Sequence, residues 1–229
     1  FVLGEHGTIL KTINGGAEWI KKPTGTTKGL WNSFFINSQT GYAAGGAESG
    51  GSGVLLKTTD QGESWSEVLT GITNRWFTGV FFLDIQTGFV IGEHGTVLKT
   101  TNSGSSWDSS NTGISNTLLE SISFSDAVTG WITGWNGALF KSTNSGSSWT
   151  AVNSGVAVNL YTSYFLTSNI GLLSGSGGTV LKTKNGGLNW IAVPSGTTQE
   201  IFSICFRGNN GWIAGHQGTV RFTTNSGNT

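Results

Sequence analysis

Thr100-Thr101-Asn102-Ser103-Gly104-Ser105-Ser106-Trp107 is one of six versions of a single phrase in this chain. Working outward, the same phrase stands at Thr58-Thr59-Asp60-Gln61-Gly62-Glu63-Ser64-Trp65 and at Ser142-Thr143-Asn144-Ser145-Gly146-Ser147-Ser148-Trp149. Further out come Thr12-Ile13-Asn14-Gly15-Gly16-Ala17-Glu18-Trp19 and Thr183-Lys184-Asn185-Gly186-Gly187-Leu188-Asn189-Trp190. A sixth begins at Thr223-Thr224-Asn225-Ser226-Gly227 and does not reach a tryptophan. The five tryptophans stand 46, 42, 42 and 41 residues apart. A fixed period near 42 is the mark of a repeat protein, in which each unit must bury its faces against its neighbours.

The phrase has the chemistry of a hairpin. Asp or Asn at the third position can accept hydrogen bonds from backbone N–H groups two residues on. Glycine at the fifth permits positive φ. Tryptophan at the eighth covers the hairpin with a large apolar face. Around each phrase the chain reads as four strands. In one repeat these are Trp76 to Leu83 (a), Gly88 to Gly92 (b), Thr96 to Thr100 (c) and a polar piece opened by Trp107 (d). Helical periodicity is absent, and Gly and Asn punctuate the connections. The expected fold is an all-β propeller of four-stranded antiparallel blades, one domain over residues 1–229. Strand a should line the channel and strand d should face outward. The sequence holds 22 such pieces, two short of six complete blades, because one d and one a are lacking. It is therefore read as a propeller of six or seven blades, its first and last incomplete. More of the same polypeptide is expected to supply the rest, and Phe1, which is not a methionine, is read as not the gene product's own start.

Composition narrows the function classes. Glycine makes up 37 of 229 residues and charged residues only 10%, against roughly a quarter in an average domain. Ten Trp and thirteen Phe argue against disorder. A formal net charge of zero removes the electrostatic case for nucleic acid, and no apolar run is long enough for a membrane span. Low charge with Gly, Ser, Thr and Asn richness suits an exported bacterial protein, whether secreted, periplasmic or at the cell surface. The single Cys205, in the run Ile201-Phe202-Ser203-Ile204-Cys205-Phe206, is expected to be a buried inert thiol.

At the boxed phrases the chain resembles the Asp-box, or bacterial neuraminidase repeat, propellers. Gly88-Phe89-Val90-Ile91-Gly92 followed by Gly95-Thr96-Val97-Leu98-Lys99-Thr100-Thr101-Asn102-Ser103-Gly104 is similar in particular to the photosystem II stability/assembly factor type of repeat. The resemblance implies a β-propeller and leaves the activity open, since such propellers include sialidases, xyloglucan hydrolases, sorting receptors and assembly factors. Sialidases hold their substrate with three arginines and carry an Arg-Ile-Pro phrase. This chain has only Arg75, Arg207 and Arg221, and no Arg-Ile-Pro. Nor does it have the excess of basic residues that the photosynthetic assembly factors present.

Few residues invite chemistry. No metal is expected at the boxes, where five of six carry Asn, or at His6, His94 and His216, which stand in b–c turns of different blades. No cofactor is expected. Lys11, Lys57, Lys99, Lys141 and Lys182 recur on strand c and are expected to lay their stems on a neighbouring blade with the ammonium in water. Glu120 and Glu200 open a strands, and Trp31, Arg75, Trp76 and Tyr161 share that neighbourhood. These six are the candidate ligand site at the channel mouth. The function read from this is a non-catalytic, exported propeller that binds other proteins or copies of itself, as scaffold or surface module. The alternative is a propeller that binds or hydrolyses glycans with the same aromatic mouth.

Overall fold

The computed structural model describes residues 1–47, 51–110 and 112–228. They form 22 strands in six antiparallel sheets, divided between two compact units, Phe1–Ser110 and Asn111–Thr229. In the first unit, sheet one holds β1 (Val2–Gly4), β2 (Thr8–Lys11) and β3 (Ile20–Lys21). Sheet two holds β4 (Gly29–Phe35), β5 (Gly41–Gly46), β6 (Gly53–Thr58) and β7 (Ser66–Glu67). Sheet three holds β8 (Phe77–Phe82), β9 (Gly88–Gly92), β10 (Val97–Thr100) and β11 (Asp108–Ser109). In the second unit, sheet four holds β12 (Leu119–Phe124), β13 (Gly130–Gly134), β14 (Leu139–Ser142) and β15 (Thr150–Ala151). Sheet five holds β16 (Leu160–Phe165), β17 (Gly171–Gly175), β18 (Val180–Thr183) and β19 (Ile191–Ala192). Sheet six holds β20 (Ile201–Arg207), β21 (Asn210–Gly215) and β22 (Thr219–Thr223). Each sheet runs in chain order, so the a-b-c-d reading holds, with sheet one lacking an a strand and sheet six a d strand among the described residues. No helix among them is long and apolar enough to cross a membrane.

The box is stabilised from within, though not as the sequence reading had it. The first residue, not the third, makes the bond two residues on. Thr100 Oγ1 accepts from the N–H groups of Asn102 and Gly104, and it donates to Asn102 Oδ1 at 2.9 Å. Asn102 Oδ1 in turn accepts from the N–H of Ser106, four residues on. The same bonds recur at Thr58/Asp60, Ser142/Asn144 and Thr183/Asn185. The tryptophan then closes over the turn and stays outside the d strand, which is cut to two exposed residues.

Packing between consecutive sheets explains both the fifth-position glycine and the tryptophan. Trp65, Trp107, Trp149 and Trp190 each meet the last phenylalanine of their own a strand edge-on, Phe35, Phe82, Phe124 and Phe165, at 5.8 to 6.2 Å. Within each unit a b-strand side chain of the preceding sheet slides under the box, Tyr42 under Trp107 and Trp131 under Trp190. A Cβ on Gly104 would stand 2.3 Å from the Tyr42 hydroxyl, and one on Gly187 2.0 Å from the Trp131 ring. These glycines therefore need to be bare as well as to take φ of +71° and +77°. Trp65, Trp107 and Trp149 are buried and Trp190 is half-buried. Trp19 departs from the expected burial and is 42% exposed. Among the described residues sheet one has no a strand, and no phenylalanine of its own sheet receives this tryptophan.

The strand-c lysines are clamps. Lys57 Nζ donates to the carbonyl of Ser103 in the next sheet's box, Lys141 Nζ to that of Gly186 and Lys182 Nζ to that of Ser226. Each accepting carbonyl belongs to the fourth box residue. Lys57 and Lys141 also stand over the Tyr42 and Trp131 rings of their own sheets. The expectation of a wet ammonium fails most clearly at Lys182, which is 4% exposed and whose pKa burial pushes down. The carbonyl of the fourth box residue faces the neighbouring sheet at these three places, and a long cation is the side chain that reaches it. Lys11 differs: its ammonium and that of Lys22 both bond the Glu63 carboxylate at 2.6 Å, holding it below the ordinary carboxylate pKa.

Cys205 is exposed, against the expected burial. On β16 no residue is exposed, because sheet six packs over it. On β20, Phe202, Ser203 and Cys205 are exposed. An apolar strand is buried only if a sheet lies over it, and the run of residues does not say whether one does. A maleimide should therefore label the native protein at this cysteine as fast as the urea-unfolded chain. Strong protection in the native state would show the face to be covered.

Candidate functional site

Five a strands share one irregularity. Their pairing with strand b slips by one residue after the first pair, or after the second in β4, leaving Trp31, Thr78, Glu120, Tyr161 and Phe202 as bulge residues. A bulge re-aims the side chain it carries. The residue two places before the bulge, just ahead of the a strand, also comes close to the end of strand b. The carbonyls of Trp76, Leu118, Asn159 and Glu200 accept from the N–H of the first b–c turn residue, Glu93, Trp135, Ser176 and His216. A Cβ on Gly175 would lie 2.0 Å from the Asn159 carbonyl oxygen, so the last residue of strand b must be glycine for this approach. The fold thus groups three positions repeatedly: a bulge residue, the first turn residue, and the residue before the next sheet's a strand.

In the second unit this grouping collects polar and aromatic side chains. Tyr161 hydroxyl lies 2.8 Å from Ser176 Oγ and donates to Glu200 Oε1 at 3.1 Å. The Tyr161 ring stands 5.1 Å from that of Phe202, which is 48% exposed. Glu120 accepts from Trp135 Nε1 at 2.6 Å, and Trp135 is 44% exposed. Asn136 N–H donates to Asn159 Oδ1. Burial pushes the Glu120 carboxyl up to about 7, against the pull of the Trp135 hydrogen bond. The site can offer a carboxyl poised near neutrality, a second carboxylate held by a phenol, and two exposed aromatic faces.

In the first unit the grouping is apolar. Trp31 and Trp76 meet edge-on at 6.2 Å. Neither indole N–H has an acceptor among the described residues, and both nitrogens are shut off from solvent, so the pair packs without offering a donor. Arg75 turns its guanidinium to Thr96 Oγ1 at 3.2 Å, and Glu93 accepts from the Trp76 backbone N–H. The six candidates therefore divide: Trp31 and Trp76 touch, Tyr161 and Glu200 touch, and Arg75 and Glu120 each turn to other partners. Trp135, Ser176 and Phe202 were missed. Their signal was position, since each falls on the first turn residue or the bulge when the repeats are aligned.

The residues considered for metal do other work. Asp60 accepts from Thr58 and Ser64, and the Ser64 hydroxyl is the main cause of a pKa held well below the ordinary carboxylate range. His6 and His94 take the left-handed second turn position at φ 55° and 54°, whereas His216 stands one place earlier. All three are exposed. Among the described residues no three His, Cys, Asp or Glu side chains cluster as ligands would.

Six sheets of this order, joined by hairpins with this internal bonding, decide the fold. The chain is a β-propeller of bacterial neuraminidase-type repeats. Residues 69–161 match the family described as photosynthesis system II assembly factor YCF48. A structure of YCF48 bound to D1 peptide is 18% identical, with TM-score 0.51 over 96% of this chain and 86% of that one. YCF48 from Cyanidioschyzon merolae is 20% identical, with TM-score 0.61 over 78% of this chain and 61% of its own. The GH74 xyloglucanase from Xanthomonas campestris is 12% identical, with TM-score 0.74 over 97% of this chain but only 41% of the enzyme. The propeller thus spans less than two thirds of the last two structures. No curated protein matches it. At these identities the likeness carries the fold and nothing of substrate or partner.

Proposed function

We propose that this propeller is a non-catalytic, exported protein-binding module whose contact surface is the bulge rim of the second unit. The supporting observation is the pairing of exposed Trp135 and Phe202 with the carboxyls of Glu120 and Glu200, each held by an aromatic donor. Exposed aromatic faces with a few fixed polar groups are what a peptide-binding surface is made of. The polar groups of this rim are two carboxyls, Glu200 and Glu120, the latter charged only as pH rises through about 7, so the partner is a peptide segment with an apolar side chain beside a lysine or arginine. Zero net charge and a surface rich in uncharged polar residues suit an exported protein that meets others without strong repulsion.

Panning a displayed library of random dodecamer peptides tests this. Enriched sequences should combine aromatic or aliphatic residues with basic ones. Trp135→Ala and Phe202→Ala should each weaken the best peptide by on the order of tenfold or more. No enrichment, or enriched peptides indifferent to both changes, would sink the reading.

One observation favours the glycan alternative. A carboxyl at about 7 is suited to a general acid, and glycoside hydrolysis needs one. Its partner, however, is an indole N–H and not a second carboxylate. Release of reducing sugar from xyloglucan, abolished by Glu120→Gln, would turn the assignment to an enzyme.

A further inference from the structure

At the repeated grouping of sheet five, three side chains form one line of hydrogen bonds. Tyr161 is the bulge residue, Ser176 the first turn residue and Glu200 the residue before the next a strand. A phenol has one proton to give and a carboxylate has none. The 3.1 Å bond from Tyr161 to Glu200 Oε1 uses that proton. At the 2.8 Å contact with Ser176 the phenol oxygen therefore accepts and the serine donates. Each donation polarises the next, so the bond that reaches the carboxylate is stronger than a lone phenol would make. Both ends of the line are anchored. Ser176 N–H donates to the Asn159 carbonyl, and the Glu200 carbonyl accepts from His216 N–H, each at 2.9 Å. In sheet four the grouping does not close in this way, because Asn159 gives its amide oxygen to the Asn136 N–H.

The line leaves Glu200 asymmetric. Oε1 is committed to Tyr161, and Oε2 has no partner among the described residues. Glu120 is divided in the same way, with Oε1 committed to Trp135 Nε1. Neither carboxyl of the rim presents two oxygens together. Arginine binds a carboxylate best through two parallel N–H···O bonds, one to each oxygen. Lysine is a compact charge with three donors on a flexible stem, and a single oxygen serves it. An arginine forked onto Glu200 has to displace the phenol and break the line from Ser176. A lysine ammonium on Oε2 leaves the line intact.

We propose that the bulge rim of the second unit selects lysine over arginine, and that Tyr161, supported by Ser176, sets the choice by occupying one oxygen of Glu200. The inference rests on the reading of this rim as a peptide-binding surface, and it names the side chain that the surface takes. Tyr161 acts here as a positioning residue. It holds the carboxylate in one orientation, so that only one acceptor faces the incoming peptide.

Two displayed dodecamer libraries test this, alike except that lysine is the only basic residue in one and arginine in the other. Selection on the whole chain should enrich the lysine library. The best lysine peptide, resynthesised with arginine in the same place, should bind on the order of tenfold more weakly. Tyr161→Phe keeps the ring and frees Oε1, so it should bring the two peptides to equal affinity by strengthening the arginine one. A tyrosine with a merely structural role would weaken both alike and leave their ratio unchanged, which would overturn the proposal. Glu200→Gln should abolish the preference by weakening the lysine peptide. If neither variant folds, the two peptides on the native chain still decide. Equal affinities, or a tighter arginine peptide, with binding still lost in Trp135→Ala, overturn the proposal and leave the rim reading in place. No enrichment from either library sinks both.

Discussion

Trp107→Ala should destabilise the protein by about 3–5 kcal/mol, the range for emptying a large aromatic site in a packed core. Trp19→Ala, a change in the same motif, should cost less than about 1.5 kcal/mol, as for a half-exposed side chain. The difference is geometric. Trp107 is 8% exposed and touches Tyr42 and Phe82 at 6.1 and 5.9 Å. Removing it takes away one large contact of the core that joins sheets two and three, and the closely packed side chains around it cannot fill the gap. Trp19 is 42% exposed and, among the described residues, receives no a-strand ring. Urea denaturation of the two variants beside the parent measures both values. Equal losses would mean that the tryptophan acts through its own hairpin, and the packing account would be wrong.

The second large effect is a pH dependence at Glu120. Its folded pKa is pushed up to about 7, while the unfolded value is the ordinary 4.5. Below the unfolded value the carboxyl is protonated in both states and the burial carries no penalty. As pH rises toward 7 the unfolded chain releases the proton and the folded chain keeps it. Stability contributed by the neutral carboxyl is therefore lost as pH rises through this window, by up to about 3 kcal/mol in all. The hydrogen-bonded surface acids that oppose this trend work at lower pH. Asp60, Glu63, Asp84 and Asp126 have depressed values, so their stabilisation is present above the ordinary carboxylate pKa and falls only as pH drops below it. Between pH 5 and 8 the Glu120 contribution stands apart. Glu120→Gln should remove that slope and leave the protein more stable than the parent at pH 8. Parallel stability profiles of parent and variant would show that the carboxyl is well solvated.

Much of the candidate site was legible as position and little of it as contact. Glu120 and Tyr161 could be placed at the start of a strands from the repeat alone. That both are bulge residues could not, because a bulge exists only in the register between two strands. Trp135, fifteen residues from Glu120, reads as an unremarkable turn residue until the bulge turns the carboxyl toward its indole. Arg75 looked like a ligand-binding charge beside Trp76, yet the backbone directs it to Thr96.

What the sequence determined by itself was the set of features that close within a few residues. The box is one: its bonds span two to four positions, so Thr100, Asn102 and Gly104 specify the hairpin wherever the phrase stands. Repetition of that hairpin every 42 residues or so then dictates antiparallel sheets in chain order, and with them the propeller. What only the tertiary structure decided was everything that depends on what lies across the gap between sheets. Trp19 and Cys205 were expected to be buried and are not, because burial is conferred by a neighbouring sheet that their own residues do not encode. Lys182 was expected in water and is instead buried, its ammonium bonded to the Ser226 carbonyl of the next box and to the Asn228 side chain. Glu120 has its unusual proton affinity for the same reason: desolvation is a property of the surroundings, and the surroundings are assembled from residues far away in the chain.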